Sequence, residues 1–133
     1  LVYERHRLGP QFASKVDHVA AKNIAAGYDI RSVTISPIGK EMPRYVEVKA
    51  VPSSIYRFFW SLNERNVARA FGSWYFLYLI PVGKGGKLYL ENLLIIEDPN
   101  ISILGSPDKW AIEENVLKCM LKTDTSKSES SSL

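Results

Sequence analysis

Residues 74–82 (WYFLYLIPV) constrain the fold of this chain more than any other segment. They form an almost continuous apolar and aromatic run, which is far shorter than the roughly 20 residues that a membrane-spanning helix needs. A run of this length and composition predicts a β-strand that is buried on both faces. Such a strand belongs in the middle of a sheet, and other elements must cover that sheet on at least one face.

The rest of the chain alternates between helical and strand patterns. Residues 12–24 space their apolar side chains for one face of a helix, and Gly27 follows as a C-terminal cap. Ser61 and Glu64 have the spacing of a capping box at the start of a second helix over residues 61–71. Further segments predict a short helix at 2–8, strands at 28–35, 45–51 and 88–96, and a final helix at 108–121. The order predicts a mixed α/β domain around a central sheet.

Composition limits the kind of protein. The chain has 133 residues, 46% of them hydrophobic, which suits one globular domain over residues 1–122. Residues 123–133 carry no aromatic or β-branched apolar side chain and predict a disordered serine-rich tail or a linker. The single cysteine, Cys119, excludes an internal disulfide and favours a reducing, intracellular setting. Because the chain starts at Leu1 and shows no secretory signal, we expect it to be part of a longer intracellular protein.

Three residues form a candidate catalytic set. Glu47 and Lys49 are two positions apart on a predicted strand, so they project from the same face. Asp29 opens the preceding strand, and its carboxylate can meet that of Glu47 if the two strands are neighbours. Two carboxylates suit Mg²⁺ or Mn²⁺, and a nearby lysine can orient or deprotonate a water and stabilise charge on a phosphate. The alternative is that Glu47 and Lys49 are ordinary solvent-facing residues of an amphipathic strand.

The net charge of +3 permits binding to nucleic acid without requiring it. Basic residues flank the candidate set, and each is either a phosphate contact or a solvated surface charge. Those proposed for nucleic-acid binding are Arg31, Arg44, Arg57 and Arg65, with Lys40 and Arg69 nearby. Trp60 and Tyr56 are candidates for stacking on a base, with a place in the core or at its rim as the alternative.

Four sequence blocks resemble a known family. They are GYDIRSV at 27–33, RYVEVKA at 44–50, FFWSLNERNVARAFG at 58–72 and WYFLYLIPV at 74–82. Together they resemble the C-terminal domain of the plant protein NO VEIN, a domain of unknown function (DUF3883) that is similar to restriction-endonuclease-like PD-(D/E)xK nucleases. The resemblance implies a helix-strand-strand-strand-helix-strand core, and it implies that Asp29, Glu47 and Lys49 occupy the nuclease motif positions.

The resemblance also implies a function and a point of departure. It implies metal-dependent hydrolysis of nucleic acid, most readily DNA, within a larger protein such as an ATPase or a restriction or defence protein. Many relatives carry Gly-Glu-x-x-Val in the first helix, whereas Phe12 and Ala13 stand at the Gly-Glu positions here. Glu4 or Asp17 would have to replace that carboxylate. The alternative is an inactive nuclease-like module that binds nucleic acid or a partner protein.

Overall fold

The computed structural model describes residues 1–19, 26–113 and 117–123. Within these ranges three short α-helices are interspersed among eight strands. The elements are α1 (Val2–Leu8), β1 (Asp17–His18), β2 (Ile30–Ile35), β3 (Glu41–Pro52), β4 (Arg57–Trp60), α2 (Leu62–Phe71), β5 (Tyr75–Val82), β6 (Leu94–Glu97), α3 (Pro99–Ser102), β7 (Trp110–Glu113) and β8 (Leu117–Leu121). The chain is a mixed α/β domain, as its sequence predicts.

Five strands form a mixed central sheet in the order β1-β2-β3-β5-β6. The β3–β5 pair is parallel and the other neighbours are antiparallel. Strand β5 lies between β3 and β6, and its residues Tyr75, Phe76, Leu77, Tyr78 and Leu79 are all buried. Residues Tyr75–Val82 of the apolar run therefore form a strand that is buried on both faces, as predicted, whereas Trp74 ends a 3-10 turn and is exposed. A second, antiparallel sheet has the order β4-β8-β7.

The two faces of the central sheet carry different cores. One core, which includes Leu77 and Leu79, packs against α2 and the small sheet. The other, which includes Val46 and Tyr78, packs against Leu8 at the end of α1. Because neighbouring residues of a strand point to opposite faces, Glu47 and Lys49 share the α2 face. The pairing of Glu47 with Leu77 and of Lys49 with Leu79 in the β3–β5 register agrees with this assignment.

Two of the predicted helices are wrong in the residues that the structure describes. In the segment predicted as a helix over residues 12–24, Ala13–Lys15 is a single 3-10 turn, and Asp17–His18 pairs with β2. Val16 is extended and buried, so tertiary packing overrides the helical spacing of the apolar residues. Residues 20–25 lie outside the described part, whereas the weakly predicted helix α1 is confirmed.

The predicted final helix is an antiparallel strand pair in its described part. β7 pairs with β8 so that Trp110 lies opposite Leu121 and Ile112 lies opposite Cys119. These four side chains join the core that packs under α2. Burial of alternate residues on a sheet has therefore replaced burial along one helix face. Of the predicted serine-rich tail at 123–133, residues 124–133 lie outside the described residues.

A buried ionic network occupies the α1 face of the sheet. Glu4, which is 1% exposed, accepts hydrogen bonds from Ser32 Oγ at 2.6 Å and Tyr78 Oη at 2.7 Å and is ion-paired with Arg7. Arg44 Nε lies 3.7 Å from Glu4 Oε2. Burial would raise the pKa of Glu4, but the hydrogen bonds from Arg7, Ser32 and Tyr78 together lower it below its usual value.

The position of this network corrects one expectation about the candidate site. Tyr78 lies opposite Val48 in the β3–β5 register, so Glu4 is on the face of the sheet that Glu47 and Lys49 do not share. Glu4 therefore does not replace the missing carboxylate of the first helix. Asp17 lies on β1, opposite Arg31 of β2.

Among the described residues, the longest helix has only ten residues. None of the described helices meets the length and apolar character that a bilayer crossing requires.

Candidate active site

Asp29 lies directly before β2, at the end of the β2–β3 pair. Its backbone N–H donates to the carbonyl of Val46 at 2.8 Å, and its Oδ2 accepts from the N–H of Val48 at 2.8 Å. Asp29 is thereby held against β3 by its backbone at Val46, before Glu47, and by its side chain at Val48, after Glu47. A carboxylate has further acceptor capacity beyond one hydrogen bond, so this contact leaves Asp29 able to bind a cation.

Glu47 and Lys49 lie side by side on β3, as their spacing predicts, and they meet a third charged residue. Lys49 Nζ is 3.4 Å from Glu47 Oε2 and 2.8 Å from Glu64 Oε1 on α2. Glu47 is 6% exposed. The site therefore combines three carboxyl groups, those of Asp29, Glu47 and Glu64, with one ammonium group.

The electrostatics of this cluster change the proton affinity of Glu47. Burial and the negative charges of Asp29 and Glu64 together raise the pKa of Glu47 to about 8, with burial the largest cause. The positive charge of Lys49 opposes this increase. Three acidic groups beside one lysine leave an excess of negative charge. A proton relieves that excess, and a cation in the same place would do so as well.

A cavity of about 250 Å³ opens between β3, the start of α2 and the residues before β2. Asp29, Glu47 and Glu64 all line it, and Lys49 contacts two of these three. The remaining lining residues are Gly27, Tyr28, Ser61 and Asn63. The cavity therefore brings together both candidate metal ligands and Glu64, the residue with which the candidate lysine is paired.

The segment before Asp29 is clamped between α2 and β5. The buried hydroxyl of Tyr75 donates to the carbonyl of Gly27 at 2.8 Å. Gly27 has a φ of +83°, and a Cβ there would lie 2.5 Å from Cγ2 of Val67 on α2. Only glycine fits this close approach, which sets where the chain enters β2 and hence where Asp29 lies.

The donor set fits a hard divalent cation held by two carboxylates. Asp29 and Glu47 supply oxygen ligands at the cavity, and Mg²⁺ commonly takes one or two carboxylates and keeps several waters. In the described part of the chain, no three His, Cys, Asp or Glu side chains are grouped to hold a metal ion. Glu64 Oε1 accepts a hydrogen bond from Lys49 Nζ at 2.8 Å, so we treat Glu64 as the partner of Lys49.

The basic residues do not form one patch. Arg31 on β2 and Arg57 on β4 are exposed, and Arg65 on α2 is half-buried. Arg44 is buried on the α1 face, where its Nε donates to Tyr78 Oη at 2.9 Å and its guanidinium lies 3.8 Å from the centre of the Phe76 ring. Arg44 is thus part of the core and is not available to a phosphate.

Glu64 is the site residue that the sequence analysis assigned only to a helix cap. It has that role, because Ser61 Oγ accepts from the Glu64 N–H and Glu64 Oε1 accepts from the Ser61 N–H, each at 3.1 Å. The same Oε1 binds Lys49. The capping box was the signal in the sequence for Glu64, but it did not indicate the contact with Lys49, because β4 lies between β3 and α2 along the chain.

Comparison with known proteins gives one match. The family model described as Protein NO VEIN, C-terminal, matches residues 2–90, which is more than half of the chain and includes Asp29, Glu47, Lys49 and Glu64. Neither the curated proteins nor the solved structures contain a match to this chain. The chain therefore belongs to the family of the NO VEIN C-terminal domain.

Proposed function

We propose that this domain hydrolyses phosphodiester bonds of nucleic acid, most readily DNA, with a divalent metal ion. The observation that carries the proposal is the convergence of Asp29, Glu47 and the Lys49–Glu64 ion pair on one cavity. Two hard ligands and a positive group within reach of them are the parts that such hydrolysis needs. Restriction-endonuclease-like nucleases, which the sequence resembles, place the same residue types in the same order.

Each residue has a defined role in this proposal. Asp29 and Glu47 would hold Mg²⁺ or Mn²⁺, which when bound supplies Lewis-acid polarisation of phosphate oxygens. Lys49 donates a hydrogen bond to the attacking water or to a non-bridging phosphate oxygen, where negative charge grows in the transition state. The water oxygen forms the new bond to phosphorus and releases a proton to solvent, the bond to the leaving oxygen breaks, and the leaving oxygen takes up a proton from solvent. Glu64 keeps the flexible Lys49 side chain at the cavity.

A cleavage assay tests the proposal. Plasmid, single-stranded DNA and RNA are incubated with Mg²⁺ or Mn²⁺ and the wild-type protein, Asp29→Asn or Lys49→Met. Asparagine keeps an acceptor for the Val48 N–H, and methionine keeps most of the bulk of lysine, so both variants should fold. We expect cleavage by the wild type and a loss of at least about 100-fold in each variant, which is a usual size for losing one preorganised group.

A second candidate function is binding without cleavage, in which another domain of the parent protein, such as an ATPase, does the chemical work. It is favoured by the position of Glu4 on the opposite face of the sheet, because Glu4 then does not supply the carboxylate that many relatives carry in the first helix. Salt-sensitive binding of nucleic acid that survives Asp29→Asn and Lys49→Met, without any cleavage, would support this candidate against the first.

A further inference from the structure

The strand that leads into the candidate site exposes an aromatic side chain. Burial alternates along β4, so that Phe58 and Trp60 are in the core whereas Arg57 and Phe59 face solvent. Phe59 is 60% exposed, although a phenylalanine on a short strand is usually turned inward. Trp60, a candidate for base stacking in the sequence analysis, is fully buried and cannot stack on a ligand.

A second large apolar side chain is exposed directly after Ser61 in the chain. Leu62, the first residue of α2, is 62% exposed. Phe59 and Leu62 thus flank Ser61, which lines the cavity with Asp29 and Glu47. At the strand rise of about 3.3 Å per residue, the Cα of Phe59 is about 7 Å from that of Ser61. This spacing places the backbone of Phe59 about one nucleotide from a residue that lines the cavity.

The charge on this surface matches a nucleic-acid strand. The cavity is rich in carboxylates, which repel phosphates, whereas Arg57 brings an exposed positive charge to the outer face of β4 two residues from Phe59. An aromatic face beside an arginine is the arrangement that holds single strands, because the base stacks on the ring and the phosphate pairs with the cation. A base in an intact duplex is already stacked on its neighbours and offers no free face.

We infer that Phe59, Leu62 and Arg57 form a binding surface for an unpaired nucleotide next to the phosphate that is cleaved. The substrate class is then single-stranded nucleic acid or the unpaired end of a duplex. This inference rests on the proposed function, because the strand on this surface is the one that enters the cavity. The surface adds a preference for unpaired over paired nucleic acid, which Asp29, Glu47 and Lys49 do not determine.

The test measures binding and cleavage separately. Binding of a labelled 12-nucleotide single strand and of the matching duplex is measured by fluorescence anisotropy in EDTA, which prevents metal-dependent cleavage. We expect Phe59→Ala to weaken single-strand binding about tenfold and duplex binding less than about twofold, and Phe59→Tyr to bind like the wild type. Ile101→Ala is the matched control, because Ile101 is 65% exposed on α3.

Each result has a defined meaning. Equal losses for single strand and duplex, normal binding by Phe59→Ala, or no binding of either nucleic acid by the wild type would overturn the inference. Cleavage in Mn²⁺ by Phe59→Ala with the wild-type ratio of single-strand to duplex products would overturn it while leaving the proposed function intact. A wild type that cleaves nothing, but whose single-strand binding depends on Phe59, overturns the proposed hydrolysis and supports the surface.

Discussion

Lys49 Nζ lies 2.8 Å from Glu64 Oε1, which joins the third residue of the candidate motif to the first turn of the helix that follows it. Through the capping box, the same carboxylate also contacts the backbone of Ser61. One side chain therefore connects the start of α2 to the charged residues of β3. The orientation of Lys49 and the capping of α2 depend on each other.

Two variants separate the roles of Glu64. Glu64→Gln retains a side chain suited to a capping box but removes the negative charge. We expect the pKa of Glu47 to fall from about 8, because the charge of Glu64 is one cause of its increase. The measurement is a titration of the Glu47 carboxyl carbon by NMR in metal-free protein.

Ser61→Ala is the complementary variant, since it removes the cap oxygen and keeps the Glu64 charge. It should destabilise the protein by about 1 kcal/mol and leave the pKa of Glu47 elevated. An unchanged pKa in Glu64→Gln would show that Glu64 does not act on Glu47 through its charge.

Glu47 should make the stability of the protein depend on pH. Its pKa in the folded protein is about 8, above the value of 4.5 for an ordinary glutamate. The folded state therefore holds an extra proton between these values, and the free energy of unfolding falls as pH rises through this window. We expect Glu47→Gln, which stays neutral, to melt about 5 °C or more above the wild type at pH 8.

At pH 5 the two proteins should melt at nearly the same temperature, because Glu47 is then protonated in the folded wild type. Calorimetry in metal-free buffer at both pH values makes the comparison. A difference in melting temperature that does not change between pH 5 and pH 8 would contradict this prediction.

The buried network on the α1 face should be a major contributor to stability. Glu4→Gln leaves the guanidinium groups of Arg7 and Arg44 without their carboxylate, and breaking a buried pair in this way costs about 3–5 kcal/mol. Since the pKa of Glu4 is lowered, its contribution is present at neutral pH and is lost as pH falls through that lowered value. Urea unfolding at pH 7 and at acid pH measures both effects.

Glu41→Gln is the control for Glu4. Glu41 pairs with Lys15 at 3.2 Å, but both side chains are more than 40% exposed, so we expect a cost below about 1 kcal/mol. Similar costs for the two variants would show that burial does not strengthen the Glu4 network.

Alanine substitutions at Gly27 and Gly39 together measure how closely Gly27 packs against α2 beside the candidate site. Their φ values are +83° and +82°, so alanine is strained at both positions. A Cβ at Gly39 meets nothing within 4 Å, whereas one at Gly27 meets Val67 at 2.5 Å. Gly39→Ala should cost about 1–2 kcal/mol, and Gly27→Ala should cost about 1–3 kcal/mol more.

Chemical denaturation of both variants tests the difference. Under the proposed function, Gly27→Ala should also reduce cleavage, since it displaces the chain before Asp29, while Gly39→Ala should not. Equal stability of the two alanine variants would contradict the proposed close packing of Gly27 on α2.

Local chemistry in the sequence was enough for several parts of this structure. The apolar run at 74–82 had to be a central strand, because only burial on both faces removes so many large side chains from water. The capping box of Ser61 and Glu64 marked the start of α2, and the two-residue spacing placed Glu47 and Lys49 on one face. These features depend on neighbours along the chain, so they can be read without knowing the fold.

Tertiary structure decided the rest. Segments 12–19 and 108–121 carry helical spacing, yet their described parts pair as strands or turns, because a sheet edge and a core were there to receive them. The fold also decided that Arg44 is buried in the core and that Phe59 is exposed. The sequence by itself determined which residues could share a face, but only the packing of α2 on β3 brought Glu64 to Lys49, since residues distant in the chain meet only when the whole fold closes.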